Sequence, residues 1–143
     1  DRSVSRGLGD VYKRQGNEFT DDTMNEIITA MDKEYIKGFS LLGGEPFEKE
    51  NRMVVQYILK TIKEHFPNKT VWCYSGFTFE ELVGECEDIL KYIDVLVDGA
   101  FVAEKKNLKL KFRGSENQRI INVKKSLEDK TVTELTEGEY DEY

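Results

Sequence analysis

Apolar residues recur along the chain with two periods. Met24, Ile27, Ile28 and Met31 stand at i, i+3, i+4 and i+7, which is one buried stripe of a helix. Thr20 precedes them as an N-cap, Asp21 and Asp22 suit the positive end of the helix dipole, and Thr23-x-x-Glu26 offers a second capping box. Gly38 resets the chain, and the short apolar run Phe39-Ser40-Leu41-Leu42, stopped by Gly43-Gly44, predicts a buried strand. A second helical stripe, Val54, Val55, Ile58, Leu59 and Ile62, predicts a helix from about Glu50 to Phe66, ended by Pro67-Asn68. Val71 to Tyr74 is the next strand, Thr78 caps a short helix through Leu82 and Val83, and Glu87 to Tyr92 is another turn or two. Val95-Leu96-Val97 and Arg119 to Val123 complete the strands. Helix and strand alternate through short connections, and the strands are apolar on both faces, a pattern that predicts a parallel sheet covered by helices.

Residues 1–15 break this pattern. They show no periodicity and are expected to lead into no strand. The run Asp10-Val11-Tyr12-Lys13-Arg14-Gln15 resembles a translated sequencing-adapter end, so residues 1–15 are read as a non-native leader, with a natural disordered N-terminus as the other reading. Residues 16–127 form the domain and residues 128–143 an acidic tail.

Charge changes the picture only locally. Leu127 to Tyr143 carries seven acids against the single base Lys130, whereas Glu104 to Arg113 carries Lys105, Lys106, Lys109, Lys111 and Arg113 against one acid. The body between is near neutral, which argues against general nucleic-acid binding. The lysine run reads as a solvated face. No apolar run approaches the ~20 residues that cross a bilayer, and two cysteines make no disulfide framework. A soluble cytoplasmic protein with no membrane partner is expected.

In parallel α/β folds ligands bind at the carboxyl ends of the strands. Three such ends are marked here: Gly43-Gly44-Glu45-Pro46, Tyr74-Ser75-Gly76 and Asp98-Gly99. Glycine lets backbone approach a ligand closely, and Glu45 is placed to accept charge-assisted hydrogen bonds from an ammonium group. Taken alone, the first run also fits a plain strand-to-helix turn. A fourth segment, Arg113 to Arg119 with Asn117 and Gln118 inside it, is dense in donors. It suits cofactor or partner binding, or a loop whose arginines pair with nearby acids. His65 reads as a capping or surface residue, and Trp72, Tyr74, Phe77 and Phe79 as core.

These pieces carry a resemblance. Gly38-Phe39-Ser40-Leu41-Leu42-Gly43-Gly44-Glu45-Pro46-Phe47, Val71 to Thr78, Ile93 to Phe101 and Phe112 to Ile121 occur in order within residues 16–127, and together they resemble the activating proteins of anaerobic ribonucleoside-triphosphate reductases. The resemblance implies a partial (β/α) barrel of the radical S-adenosylmethionine type. It also implies a four-iron four-sulfur cluster held by three cysteines, S-adenosylmethionine as cofactor, and a glycyl radical made on the reductase, with an electron donor such as flavodoxin. The cofactor does the hard chemistry and the protein orients it. By the same resemblance Gly43, Gly44 and Glu45, followed by Pro46, contact the amino end of S-adenosylmethionine. Ser75, with Gly76, and Asp98 are further candidates for its sugar or carboxylate side. Arg113, Asn117, Gln118 and Arg119 join the expected cofactor-binding set.

The chain departs from that family at the cluster motif. Cys73 and Cys86 are its only cysteines, and no close three-cysteine loop exists. The expectation is a domain lacking its first strand and cluster loop, with an uncovered sheet edge near Phe39 to Leu42, no metal ligands and no activity as it stands. Two other readings stay open. One is an activase of another glycyl-radical enzyme such as pyruvate formate-lyase, which the Phe112 to Arg119 stretch disfavours. The other is a non-catalytic α/β module binding a nucleotide or partner, although no phosphate-loop glycine pattern is present.

Overall fold

The computed structural model describes residues 2–8 and 19–143. Five strands lie side by side in chain order: β1 (Ser3–Gly7), β2 (Gly38–Leu42), β3 (Thr70–Tyr74), β4 (Val95–Asp98) and β5 (Arg119–Asn122). The first four run parallel, and β5 pairs antiparallel with β4 through Asp98–Arg119 to Val95–Asn122. Between them stand α1 (Asp21–Met31), α2 (Lys49–His65), α3 (Phe79–Leu82) and α4 (Glu87–Leu90), and α5 (Val123–Asp129) follows β5.

The helices form where the polar punctuation allows. Thr20 caps α1 by accepting from Thr23 N at 3.4 Å, so the alternative box at Thr23 is not used. Thr78 and Glu81 form a reciprocal capping box on α3. The largest helix, α2, inserts Val55, Ile58, Leu59 and Ile62 into the core, all fully buried. Each such side chain contributes about 1.5–3 kcal/mol by leaving water. At the start of β2 the strands come so close that a Cβ on Gly38 would sit 2.3 Å from Thr70 O, so no larger residue fits there.

Three expectations need correction. The sheet is mixed, not parallel. A parallel neighbour requires a crossover of a dozen or more residues, usually helical, but residues 99–118 contain only the 3₁₀ turn Ala103–Lys105 and stay at the carboxyl edge of the sheet. The chain therefore turns back and β5 descends. Among the described residues, helices also cover one face of the sheet only. Val71, Cys73, Leu96, Ile121 and the helical apolar residues form the main core, whereas Trp72, Val95, Val97, Ile120 and Leu135 form a smaller cluster on the opposite, open face. Finally, the first residues do make a strand: β1 lies along β2 with Val4 opposite Phe39, so the Phe39 to Leu42 edge is covered. An open parallel edge is a row of unpaired N–H and C=O groups that an extended segment satisfies, and Val4 and Leu8 add buried apolar surface facing the helices. Of the leader expected over residues 1–15, only residues 2–8 are among the described residues.

Residues 132–143 supply the cover of the open face. Thr133 and Leu135 bond to β5 at its free edge. The 3₁₀ segment Glu137–Glu142 then crosses the open face to β3. No helix among the described residues is long and apolar enough to cross a membrane.

Candidate functional site

The site lies at the carboxyl ends of β2, β3 and β4, where the chain leaves the sheet. After β2, Gly43 and Gly44 both take positive φ, 59° and 55°, which side chains with a Cβ rarely adopt. This left-handed pair turns the chain so that the Glu45 carboxylate points back across the strand ends. Its Oε2 accepts from Phe47 N at 3.0 Å and from Ser75 Oγ at 2.9 Å, and its Oε1 accepts from Gly76 N at 2.7 Å. Ser75 Oγ accepts in turn from Phe77 N at 3.0 Å. One carboxylate thus ties the end of β2 to the end of β3. A carboxylate offers about four acceptor positions, so three internal donors leave room for one more.

Around this knot is a cleft of about 430 Å³, within the size range of small-molecule sites. Seven of the residues expected from sequence line it: Gly43, Gly44, Glu45, Pro46, Ser75, Gly76 and Gln118. Phe101, Tyr74, Val97 and Gly99 line it too. Phe101 was not singled out in the sequence, and Tyr74 reads there as core. The missed signal is strand parity. Tyr74 and Val97 are cross-strand partners and share the open face. Burial pushes the Tyr74 phenol above its ordinary range.

The other expected residues lie elsewhere. Asp98, only 1% exposed, alternates to the helix face, where its carboxylate accepts from Phe79 N at 2.7 Å and from Arg119 Nε at 3.0 Å. Arg119 also binds Glu80, at 2.5 Å, so it bridges two carboxylates away from the cleft. Arg113 donates to Gln118 O at 2.5 Å, and Asn117 donates to Ala100 O at 2.8 Å. Gln118 donates to Gly99 O at 3.0 Å while its Oε1 accepts from Gly114 N and Ser115 N. Asn117 and Gln118 therefore staple the two ends of the loop at residues 99–118, which explains their amide side chains. His65 is exposed at the end of α2, with Nδ1 3.0 Å from Thr61 O.

The two cysteines do not form a cluster site. Cys73 is fully buried within β3 between strands β2 and β4, and Cys86 is buried where α4 begins. Burial, reinforced by the nearby Glu45 charge, pushes the Cys73 thiol far above its ordinary range, and burial raises Cys86 as well. Cluster ligation needs thiolates, and among the described residues no three His, Cys, Asp or Glu side chains gather as metal ligands. Both thiols are therefore expected to resist iodoacetamide at pH 8 until denaturant is added. Anaerobic reconstitution of this 143-residue chain with iron and sulfide is expected to yield no stoichiometric four-iron cluster. Rapid alkylation of the folded chain, or a full cluster by absorption and iron assay, would show that these cysteines are available after all.

Among the described residues no buried side-chain nitrogen or oxygen lacks a partner. The cleft therefore holds no orphaned buried polar group. What it offers a ligand is exposed glycine backbone at Gly43 and Gly44, the remaining acceptor position of Glu45, and the Tyr74 and Phe101 rings.

Comparisons with known proteins place the chain in a family. The family model described as a 4Fe-4S single cluster domain matches residues 10–121. The anaerobic ribonucleoside-triphosphate reductase-activating protein of Enterobacteria phage T4 is 38% identical over 109 residues, covering 75% of this chain and 67% of that protein. The protein of the same name from Vibrio cholerae is 37% identical over 107 residues, 73% of this chain and 69% of its own length. The one from Escherichia coli K12 is 34% identical over 105 residues, with 72% and 68% covered. No solved structure matches the chain. The chain spans about two thirds of these relatives, and by the extent and agreement of these matches it belongs to the family of anaerobic ribonucleoside-triphosphate reductase-activating proteins.

Proposed function

We propose that this domain is the S-adenosylmethionine-binding part of an activase that installs a glycyl radical on an anaerobic ribonucleoside-triphosphate reductase. The observation that carries the reading is the glycine pair at positive φ followed by a carboxylate anchored on the next strand end, inside a cleft of suitable size. S-adenosylmethionine, when bound, supplies the hydrogen-abstracting chemistry of such activases. Gly43 and Gly44 let main chain approach its amino-acid end, and the free acceptor position of Glu45 faces its ammonium group. Tyr74 and Phe101 give the adenine a flat apolar wall. Gln118 holds the Gly99 side of the cleft in place. The parallel β1 to β4 arrangement, with helices on one face, supports a partial barrel of the radical S-adenosylmethionine type, in which the open face is the inner one. The two buried cysteines of this chain do not fit an iron–sulfur cluster. The reductase is the partner, and a flavodoxin-like electron donor fits the same reading.

The test is titration calorimetry of the 143-residue chain against S-adenosylmethionine, a flavin mononucleotide and ATP. Saturable binding of S-adenosylmethionine alone is expected, and Gly43→Val is expected to weaken it at least tenfold by clashing with the left-handed turn. Binding of the flavin or nucleotide in its place would instead support a non-catalytic nucleotide module.

A further inference from the structure

We infer that Gly114, Ser115, Asn117 and Gln118 are positioning residues, which together present the Phe101 ring as the stacking wall for the adenine of S-adenosylmethionine. The inference rests on the proposed function and adds to it what holds that wall in place. Phe101 is 54% exposed and lines the cleft beside the glycine turn and Glu45. Among the described residues its ring stacks on no other ring. An exposed side chain on a loop ordinarily makes a poor wall, because ordering it on binding costs affinity. Here the main chain around it is pinned on both sides by one short segment. Before Phe101, Gln118 Nε2 donates to Gly99 O at 3.0 Å and Asn117 Nδ2 donates to Ala100 O at 2.8 Å. After it, Val102 N donates to Ser115 Oγ at 3.2 Å. The three polar side chains are themselves tied. Ser115 Oγ donates to Asn117 Oδ1 at 2.6 Å, and Gln118 Oε1 accepts from Gly114 N at 2.8 Å and from Ser115 N at 3.1 Å. Ser115 is fully buried. A satisfied network of this kind holds the residue between its anchors to one backbone path.

The ring itself lies against Gly114. A Cβ added there would stand 3.0 and 3.1 Å from two carbons of the Phe101 ring, closer than ordinary van der Waals contact. Gly43, Gly44 and Gly99 take positive φ, but Gly114 does not, so its backbone has no need of glycine. What needs glycine is the space the ring fills. A bare glycine and three hydrogen-bonding side chains thus converge on one aromatic residue that is half in solvent. A flat ring held this firmly in one cleft with a carboxylate that keeps an acceptor position free suits a ligand with a heterocycle at one end and an ammonium group at the other. S-adenosylmethionine is such a ligand.

The test separates the two ends of that ligand. Titration calorimetry compares S-adenosylmethionine with S-methylmethionine, which keeps the sulfonium and the amino acid but has no adenosine. Phe101→Ala is expected to weaken S-adenosylmethionine roughly tenfold, as loss of a ring from a base stack does, whereas Phe101→Tyr should bind it as the parent chain does. Gly114→Val puts a branched side chain where the ring lies and is expected to cost about the same. Added to Phe101→Ala, it should cost nothing more, because the ring it displaces is already gone. S-methylmethionine should bind the parent and every variant equally. An equal loss from Gly114→Val with and without the ring would overturn the inference, and so would a parallel loss of S-methylmethionine. If valine unfolds the chain, Gly114→Ala takes its place in the same cycle, since Gly114 is exposed. If S-methylmethionine binds too weakly to measure, the cycle decides alone. A parent chain that binds S-adenosylmethionine no better than its variants removes the positioning role and leaves the proposed function standing. A parent chain that does not bind it removes both.

Discussion

Replacing Arg119 with alanine will lower the stability of this domain by about 3–5 kcal/mol, the range found when one partner of a buried ion pair is removed. The guanidinium donates to both oxygens of Asp98, at 3.0 and 2.6 Å, and to both of Glu80, at 3.2 and 2.5 Å. Asp98 is 1% exposed and keeps only the Phe79 amide once Arg119 is gone. An almost unscreened carboxylate would then remain in the core at the start of α3. The melting temperature of a chain this size should fall by about 10 °C or more. Asp98→Ala/Arg119→Ala should recover part of the loss, because the dominant cost is the stranded charge rather than the missing attraction. The hydrogen bond from Arg119 holds the Glu80 carboxyl below its ordinary range. A depressed folded-state pKa gives stability that is present above the unfolded pKa and is lost as pH falls through the folded value. Arg119→Ala should therefore flatten the acid limb of the stability profile. Glu80 is largely solvated, so this pH effect is small beside the first. An unchanged melting temperature, paired with loss of ligand binding, would return Arg119 to the cleft.

The contrast between Arg119 and Glu45 shows where sequence was sufficient. The periodic stripes of α1 and α2, the Thr20 and Thr78 caps, and the positions of β2, β3 and β4 follow from local patterns, and those elements form close to where the patterns place them. The glycine pair was legible because only special backbone needs two glycines ahead of a polar residue. Facing was harder. Asp98 ends β4 and Gly99 follows it, yet Asp98 turns to the helices while Gly99 borders the cleft. That alternation could be counted only once it was known which face the helices cover. Direction was harder still. Nothing local in Arg119 to Asn122 separates a parallel strand from an antiparallel one; the deciding feature is the long, helix-poor connection before it. The donors in Arg113 to Gln118 were visible, but their acceptors are the main-chain oxygens of Gly99, Ala100 and Gln118, which no residue type announces. The strand at Ser3–Gly7 was illegible for a related reason: its pairing is dictated by the open edge of β2 and not by its own composition.

Glu45→Ala will abolish the order of the cleft as well as weaken its ligand, and the two losses can be separated. Truncation leaves Phe47 N, Ser75 Oγ and Gly76 N without their acceptor. Hydrogen bonds to a charged group contribute about 1.5–3 kcal/mol each. The three share one carboxylate and will not add, and water reaches the exposed Gly76. A stability loss of about 2–3 kcal/mol is therefore expected, near the value of one such bond. Affinity for S-adenosylmethionine should fall at least tenfold, through the lost contact to its ammonium group and through release of the β3 end. Glu45→Gln keeps the shape and one acceptor oxygen, but turns an NH₂ group toward a donor and carries no charge. It should recover much of the melting temperature and little of the affinity, because an amide does not replace a carboxylate facing a cation. Ser75→Ala removes one anchor at 2.9 Å and leaves the charge, so it should cost stability while sparing most of the binding. If all three variants bind S-adenosylmethionine as the parent does, Glu45 is a strand-end clamp alone. If Glu45→Gln loses affinity at an unchanged melting temperature, the carboxylate itself touches the ligand.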